Sequence, residues 1–201
     1  MKKALFILVI LIATSGIKAQ SYYHSYDHHD LLVSYGLFLP DQFKNVNSKM
    51  LDDLFPQQLY VRDNYQSYGA LFFTYHYIFK NNVTVLGFSF GLSNSTSKIY
   101  NVGQYEGELS RKFYTGAIDW AYRYYNRGPI QLYSGLGLGF TFGKETFTPN
   151  EVVQSSTGNK SSIAYQINAF GIRIGKKFGG FIEFGYGYKG IVNLGFSAQL
   201  F

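Results

Sequence analysis

Along most of this chain apolar and polar residues alternate with a period of two, the spacing of a half-buried strand rather than of a helix. In the final stretch Val192, Leu194, Phe196, Ala198 and Leu200 are apolar, and Asn193, Gly195, Ser197 and Gln199 between them are small or polar. The same alternation recurs upstream. It puts Leu31, Val33, Tyr35, Leu37 and Leu39 on one face of a first strand, and Leu71, Phe73, Tyr75, Tyr77 and Phe79 on one face of a second. A third carries Leu86, Phe88, Phe90 and Leu92, and a fourth carries Tyr114, Ile118, Trp120, Tyr122 and Tyr124. The fifth, 130–143, shows Ile130, Leu132, Leu136, Leu138, Phe140 and Phe142. The sixth, 161–175, starts with Ile163, Tyr165 and Ile167 and then changes phase to Phe170, Ile172 and Ile174, which predicts a β-bulge near Ala169. A seventh, 180–188, carries Ile182, Phe184, Tyr186 and Tyr188, and the tight turn Lys189-Gly190 leads into the eighth.

The connections alternate in length. Turns at 80–82, 126–129 and 177–179 are short, whereas 40–64, 94–110 and 144–160 are long and polar. One face of every strand wants hydrocarbon and the other tolerates water, which is the pattern of a barrel that spans a membrane. The expected fold is therefore all-β: an eight-stranded antiparallel up-and-down transmembrane β-barrel with short periplasmic turns and long external loops. An even strand number puts both termini on the periplasmic side.

The first residues agree with export. Lys2 and Lys3 precede an apolar run from Ala4 to Ala13, and small residues follow up to Ala19. This reads as a signal peptide over 1–19, a periplasmic tether over 20–30 and a barrel over 31–201. The run is shorter than the ~20 apolar residues of a spanning helix. There is no cysteine, so neither a lipid-anchored amino terminus nor a disulfide is available. Three of the 18 Lys and Arg and none of the 12 acids lie in the signal, so the mature charge is 18 − 3 − 12 = +3 and implies no nucleic-acid partner. The mean hydropathy of −0.08 looks soluble, but alternation averages out in a barrel. The 19 Tyr, 19 Phe and 22 Gly are more telling, because aromatics supply interfacial girdles and small residues suit a narrow lumen.

Several stretches carry a resemblance. They are 33–36 (VSYG), 131–140 (QLYSGLGLGF), 142–145 (FGKE), 171–177 (GIRIGKK) and 183–190 (EFGYGYKG). With these the mature chain resembles the small eight-stranded outer-membrane barrels of OmpX and OmpA-barrel type, in the version common in the Bacteroidota. The resemblance implies an outer-membrane location, contact with lipid and lipopolysaccharide, insertion by the barrel-assembly machinery and a monomeric state. It also makes the terminal aromatic Phe201 the expected assembly signal, although Phe201 falls on the polar phase of its strand.

Candidate chemistry is sparse. Gly135-Leu136-Gly137-Leu138-Gly139 has strand period and no following helix, so it is lumen lining rather than a dinucleotide loop. His24, His28 and His29 with Asp27 and Asp30 are the right donors for a metal but sit on a tether without fixed geometry, so no metal or cofactor is assigned. His76, the other histidine, is placed inward near the periplasmic end of the second strand, and none is placed at the external rim, so no enzyme is expected. In segment 40–64, Asp41 can cap a helix bearing Phe43, Val46, Met50, Leu51, Leu54 and Phe55 on one face, ended by Pro56, that either folds over the barrel mouth or presents its apolar face to a partner, host surface or lipid, the first being favoured. Inward-facing Asp119, Arg123, Arg173 and Glu183 are expected to form a neutralising lumen cluster, with Arg173 directly opposite Glu183 across a hairpin centred on residue 178. The role expected is membrane-structural or surface-interaction, carried by the external loops, with a small channel or transporter for an apolar or small solute as the alternative.

Overall fold

A computed structural model describes residues 29–42, 48–55, 60–150 and 154–200. Among them eight strands run antiparallel to their neighbours: β1 (His29–Leu37), β2 (Tyr60–Ile78), β3 (Thr84–Asn101), β4 (Gln104–Arg127), β5 (Ile130–Pro149), β6 (Ser156–Gly175), β7 (Phe178–Gly187) and β8 (Val192–Leu200). Each pairs with the next, and β1 pairs with β8 from His29↔Leu200 to Leu37↔Val192, so the sheet closes into a barrel without an edge at this level. β1 begins at His29, two residues before the expected tether boundary. Residues 1–28, which hold the expected signal peptide, His24 and His28, lie outside the described residues, as does Phe201.

The barrel is turned inside out relative to a soluble protein. Leu31, Val33, Phe73, Phe88, Ile118, Trp120, Leu138, Phe140 and Phe196 all point outward and are exposed. Inward positions are polar and buried: Ser34, Thr74, Ser89, Asp119, Arg123, Gln166, Arg173, Glu183, Asn193 and Ser197. The upper edge of the apolar belt is a single row across five strands, because Tyr35 pairs with Leu71, Leu71 with Leu92, Leu92 with Tyr114 and Tyr114 with Phe142. On β4 the belt runs from Tyr114 to Tyr122, which for a tilted strand is a height of about 20 Å. No described helix is long and apolar enough to cross a membrane.

Above the Tyr114 row the pattern inverts. Outward positions become Asn94, Thr96 and Lys98 on β3, Lys112 and Glu108 on β4, and Lys144, Thr146 and Thr148 on β5. Inward ones become Ile99, Leu109 and Phe147, which pack with Leu51 into a small core. Segments 94–110 and 144–160, expected as loops, are therefore largely strand. β3 and β4 stay paired up to Asn101↔Gln104 and turn through Val102-Gly103. Period two persists there, but water replaces hydrocarbon as the outer solvent, so the apolar phase moves to the inside.

β1, β7 and β8 do not share this extension. The last β1–β2 pair at the top is Gly36↔Ala70, and the last β6–β7 pair is Gln166↔Gly187. Above them the wall is the β2–β6 sheet alone, open between β2 and β6. The β1–β2 connection enters this opening. Its helix, α1, is confined to Lys49–Leu54 and begins after Ser48, not at Asp41. Leu51 is fully buried against Ile99, Leu109 and Phe147, and Phe55 stacks edge-on against Phe147 at 5.7 Å. Phe43, Val46 and Pro56 lie outside the described residues.

One further expectation holds in the fold and two change. The phase slip in β6 is a bulge, as the sequence predicts: Asn168 pairs with Gly185 and Phe170 with Phe184, and Ser134 donates to the Ala169 carbonyl at 2.7 Å. Leu39 is not on the outward face of β1, because Phe38 adopts a positive φ of 54° and Leu39 turns in against Ala70 and Phe72. Tyr188 is not outward either. Gly187 has φ 146°, a conformation that L side chains rarely adopt, and it ends β7 so that Tyr188 and Lys189 both turn inward.

Candidate functional site: the plugged lumen and its outer mouth

The lumen is closed by polar side chains in two tiers. In the upper tier Asp119 is the hub. It receives Ser89 Oγ and Tyr188 Oη, both in very short contacts, and Lys189 Nζ at 3.0 Å. Ser89 in turn shares a 2.7 Å hydrogen bond with Thr74. Phe72 packs tilted against the Tyr188 ring, with centroids 5.6 Å apart, and covers this tier from above. Gly137 makes it possible, since a Cβ there would lie 2.2 Å from Tyr188 Oη and 2.6 Å from Asp119 Oδ1.

In the lower tier the Arg123 guanidinium lies 3.7 Å from Asp30 Oδ2, and Gln199 reaches the same oxygen at 3.5 Å. Arg173 donates to Ser197 Oγ at 2.5 Å and to the carbonyls of Gly175 and Lys176 at 2.9 Å each. Glu183 accepts from Tyr133 Oη at 2.9 Å and from Asn193 Nδ2 at 2.8 Å.

All four charges predicted to face the lumen do so, but their partners differ from those expected. The cation on Asp119 is Lys189 rather than Arg123, and Arg123 meets Asp30. Arg173 pairs with Phe181 and Glu183 with Gly171, so the hairpin is centred on residue 177 and the two side chains are offset by one inward position. The cause is a tight turn. Gly175, with φ 147°, pairs directly with Gly179. A two-residue change of partner preserves parity, which is why both residues still point inward. Sequence reading overlooked Lys189, Tyr188 and Asp30 as lumen residues. The only signal for Asp30 was parity with Leu32 and Ser34, and for Lys189 it was the glycine before Tyr188. His29 begins β1 and shares a 2.6 Å hydrogen bond with Tyr75 Oη. No group of three or more metal-ligating side chains occurs among the described residues.

The outer mouth has its own polar latch. Arg111, buried, lies 2.9 Å from Glu145 Oε1 and donates to Asp41 Oδ2 at 3.0 Å. The first contact is ionic and poorly aligned for a hydrogen bond. Arg62 meets Asp41 Oδ2 at 3.3 Å and also donates to the Asp41 carbonyl. Ser48, just before α1, donates to Glu145 Oε2 at 2.6 Å, and Lys160 is 3.5 Å from Glu145 Oε1. Tyr60 Oη donates to Asp52 at 2.6 Å, and burial, then that hydrogen bond, pushes its phenol up to about 12. These contacts tie the β1–β2 connection to β2, β4, β5 and β6.

Beneath the latch is a cavity of about 190 Å³, bordered by Leu39, Phe113, Thr115, Thr141, Lys160, Ser162, Ala164 and Tyr188. At the opposite end a cavity of about 100 Å³ touches Arg123, Gln131, Lys176 and Gln199. Between the tiers a void of about 20 Å³ beside His76, Arg123 and Tyr133 has room for roughly one water.

No protein-family model matches the chain, and no curated protein matches it by sequence. Among solved structures, the chain is similar to Ail, the attachment invasion locus protein of Yersinia pestis, in its crystal structure with the heparin analogue sucrose octasulfate. The match covers 86% of this chain and 98% of that one, with 17% identity and a TM-score of 0.44. A likeness this loose carries no functional weight, and function has to be read from the barrel's own surfaces.

Proposed function

We propose that this protein is an outer-membrane β-barrel with a packed lumen, whose membrane-structural or surface-interaction role is carried by the extension above the apolar belt. The observation that supports this reading is the belt itself. A closed sheet exposes aromatic and aliphatic side chains on all of its strands, and then changes to polar outward positions along one row, Asn94, Lys112 and Lys144. A water-soluble barrel has no reason to expose Phe140, Ile163 and Phe196 at two-thirds or more of their surface. Lipid and lipopolysaccharide surround the belt in this reading, the barrel-assembly machinery inserts the chain, and the barrel is a monomer.

The test is fractionation with heat-modifiability. Unboiled protein from outer membranes should migrate as a compact species, and protease added to intact cells should cut only within 94–110, within 144–160 or in the β1–β2 connection. Recovery in the detergent-free soluble fraction would overturn the proposal. The proposal is also of a non-enzymatic protein, so turnover of labelled lipid above a heat-killed control would contradict it. A channel is the rival reading, since the barrel has an opening at each end. Eight-stranded barrels have interiors that side chains just fill, and here two tiers fill it. Discrete single-channel steps in planar bilayers would favour the rival.

A further inference from the structure

The three short reversals at the lower end of the barrel carry one sign of charge. The β2–β3 reversal holds Lys80, the β4–β5 reversal Arg127, and the β6–β7 reversal Lys176 and Lys177, and none of the three holds an acid. A rim of this kind concentrates anions at the face it encircles. Inside the rim lies the lower cavity of about 100 Å³. It sits on the barrel axis, because Asn126, Gln131 and Gln199 occupy inward positions of β4, β5 and β8, with Asn126 and Gln131 direct partners. Among the described residues its border holds Arg123, Lys176, Lys177 and four side-chain amides, and no carboxylate.

Two buried groups on this border have bonding capacity left. The Gln131 side chain is 6% exposed, and its Oε1 has no hydrogen-bond partner among the described residues. Gln131 also borders the one-water void above the cavity. A water there can donate to Oε1 and leave Nε2 for the cavity below. Arg123 is equally buried. Its contact with Asp30, at 3.7 Å, is ionic but too long for a hydrogen bond, and its guanidinium makes no hydrogen bond among the described residues. Buried donors without acceptors are costly, so their presence calls for an explanation.

We propose that this vestibule binds the carboxylate end of a peptide, of the kind that ends the stem peptides of peptidoglycan. The proposal rests on the membrane reading above, with the short reversals in the periplasm, and gives the membrane-structural role a partner: the cell wall held from beneath the barrel. Planar guanidinium and amide donors suit a planar carboxylate. The volume is roughly three waters' share of liquid, which takes a carboxylate with its α-carbon and methyl group and excludes a sugar ring. A phospholipid phosphate is the competing anion. Lipid headgroups stand outside the wall, whereas these donors face the axis, where the free end of a peptide can enter.

The test uses the refolded full barrel in zwitterionic nanodiscs, titrated with acetyl-D-alanyl-D-alanine and followed by amide NMR. Saturable shifts are expected at the side-chain amides of Asn126 and Gln131 and at the backbone amides of 126–128 and 175–177. The same dipeptide with its carboxylate converted to an amide should bind at least about tenfold more weakly, the equivalent of one charge-assisted hydrogen bond. Gln131→Leu should weaken the acid by a similar factor. If that variant fails to fold, Lys176→Gln, at an exposed turn position, should still weaken it about threefold. Purified sacculi should retain the barrel on sedimentation and lose it once their peptide carboxylates are amidated. Equal binding of acid and amide, or equal shifts from inorganic phosphate, would overturn the proposal. So would the absence of shifts at Asn126 and Gln131, the result expected if the chain's own terminal carboxylate fills the vestibule. Heat-modifiability, measured on the same samples, separates a barrel that folds and does not bind from one that never entered a membrane-like state.

Discussion

The decisive test of the lumen is at Asp119. Its carboxylate is 7% exposed and accepts from Ser89, Tyr188 and Lys189, the last at 3.0 Å with the lysine 4% exposed. Asp119→Asn is nearly isosteric but leaves the Lys189 ammonium buried without a counter-charge. Breaking a buried pair from one side costs about 3–5 kcal/mol. Lys189→Met should cost less, about 1.5–3 kcal/mol, because the carboxylate keeps two hydroxyl donors. If the effects were independent the double variant would lose roughly 5–8 kcal/mol. With both charges gone nothing is left uncompensated, and we expect it to be no worse than Asp119→Asn alone. Urea unfolding in lipid vesicles can be followed by the fluorescence of Trp120, the chain's single tryptophan, which sits outward in the belt. The slope of stability on urea should be unchanged across the set, so that midpoints report stability directly. A loss below about 1 kcal/mol for Asp119→Asn, or strict additivity in the double variant, would refute the Asp119–Lys189 pairing.

Gly137→Val should disrupt the same hub sterically, at a cost of about 1–3 kcal/mol in the same urea assay, because its side chain would meet Tyr188 Oη and Asp119. Leu51→Ala should cost about 2–5 kcal/mol of local stability, seen as faster amide exchange in 94–110 while heat-modifiability is retained, since Leu51 caps Ile99, Leu109 and Phe147 above the belt. Docking of α1 should weaken at high pH. The Tyr60 phenol is raised from 10.0 to about 12, so its contribution is intact below pH 10 and is lost as pH climbs toward 12, measurable as the onset of proteolysis in the β1–β2 connection. Tyr60→Phe should remove that pH dependence.

Strand number, strand faces and the bulge at Ala169 were legible in the sequence, because they depend only on period and parity, and in hydrocarbon every second residue must be apolar. Parity also explains why Asp119, Arg123, Arg173 and Glu183 were correctly placed inward. The partners of these charges were not legible. A hairpin centre displaced from 178 to 177 leaves every side chain on its face and changes what it meets. The extension was hidden for a different reason. Above Tyr114 the outer solvent is water, the apolar phase moves inside to Ile99, Leu109 and Phe147, and a reader looking for outward aromatics sees a polar loop. Likewise Leu39 and Tyr188 continue their strands' outward pattern on paper and Lys189 reads as a turn residue, and only the positive φ values of Phe38 and Gly187 turn them into the lumen. The alternating sequence thus determined the wall, because each residue's solvent is a local matter. The plug and the outer mouth were decided by turn geometry and by where β1, β7 and β8 stop, and these follow from how distant strands close on one another.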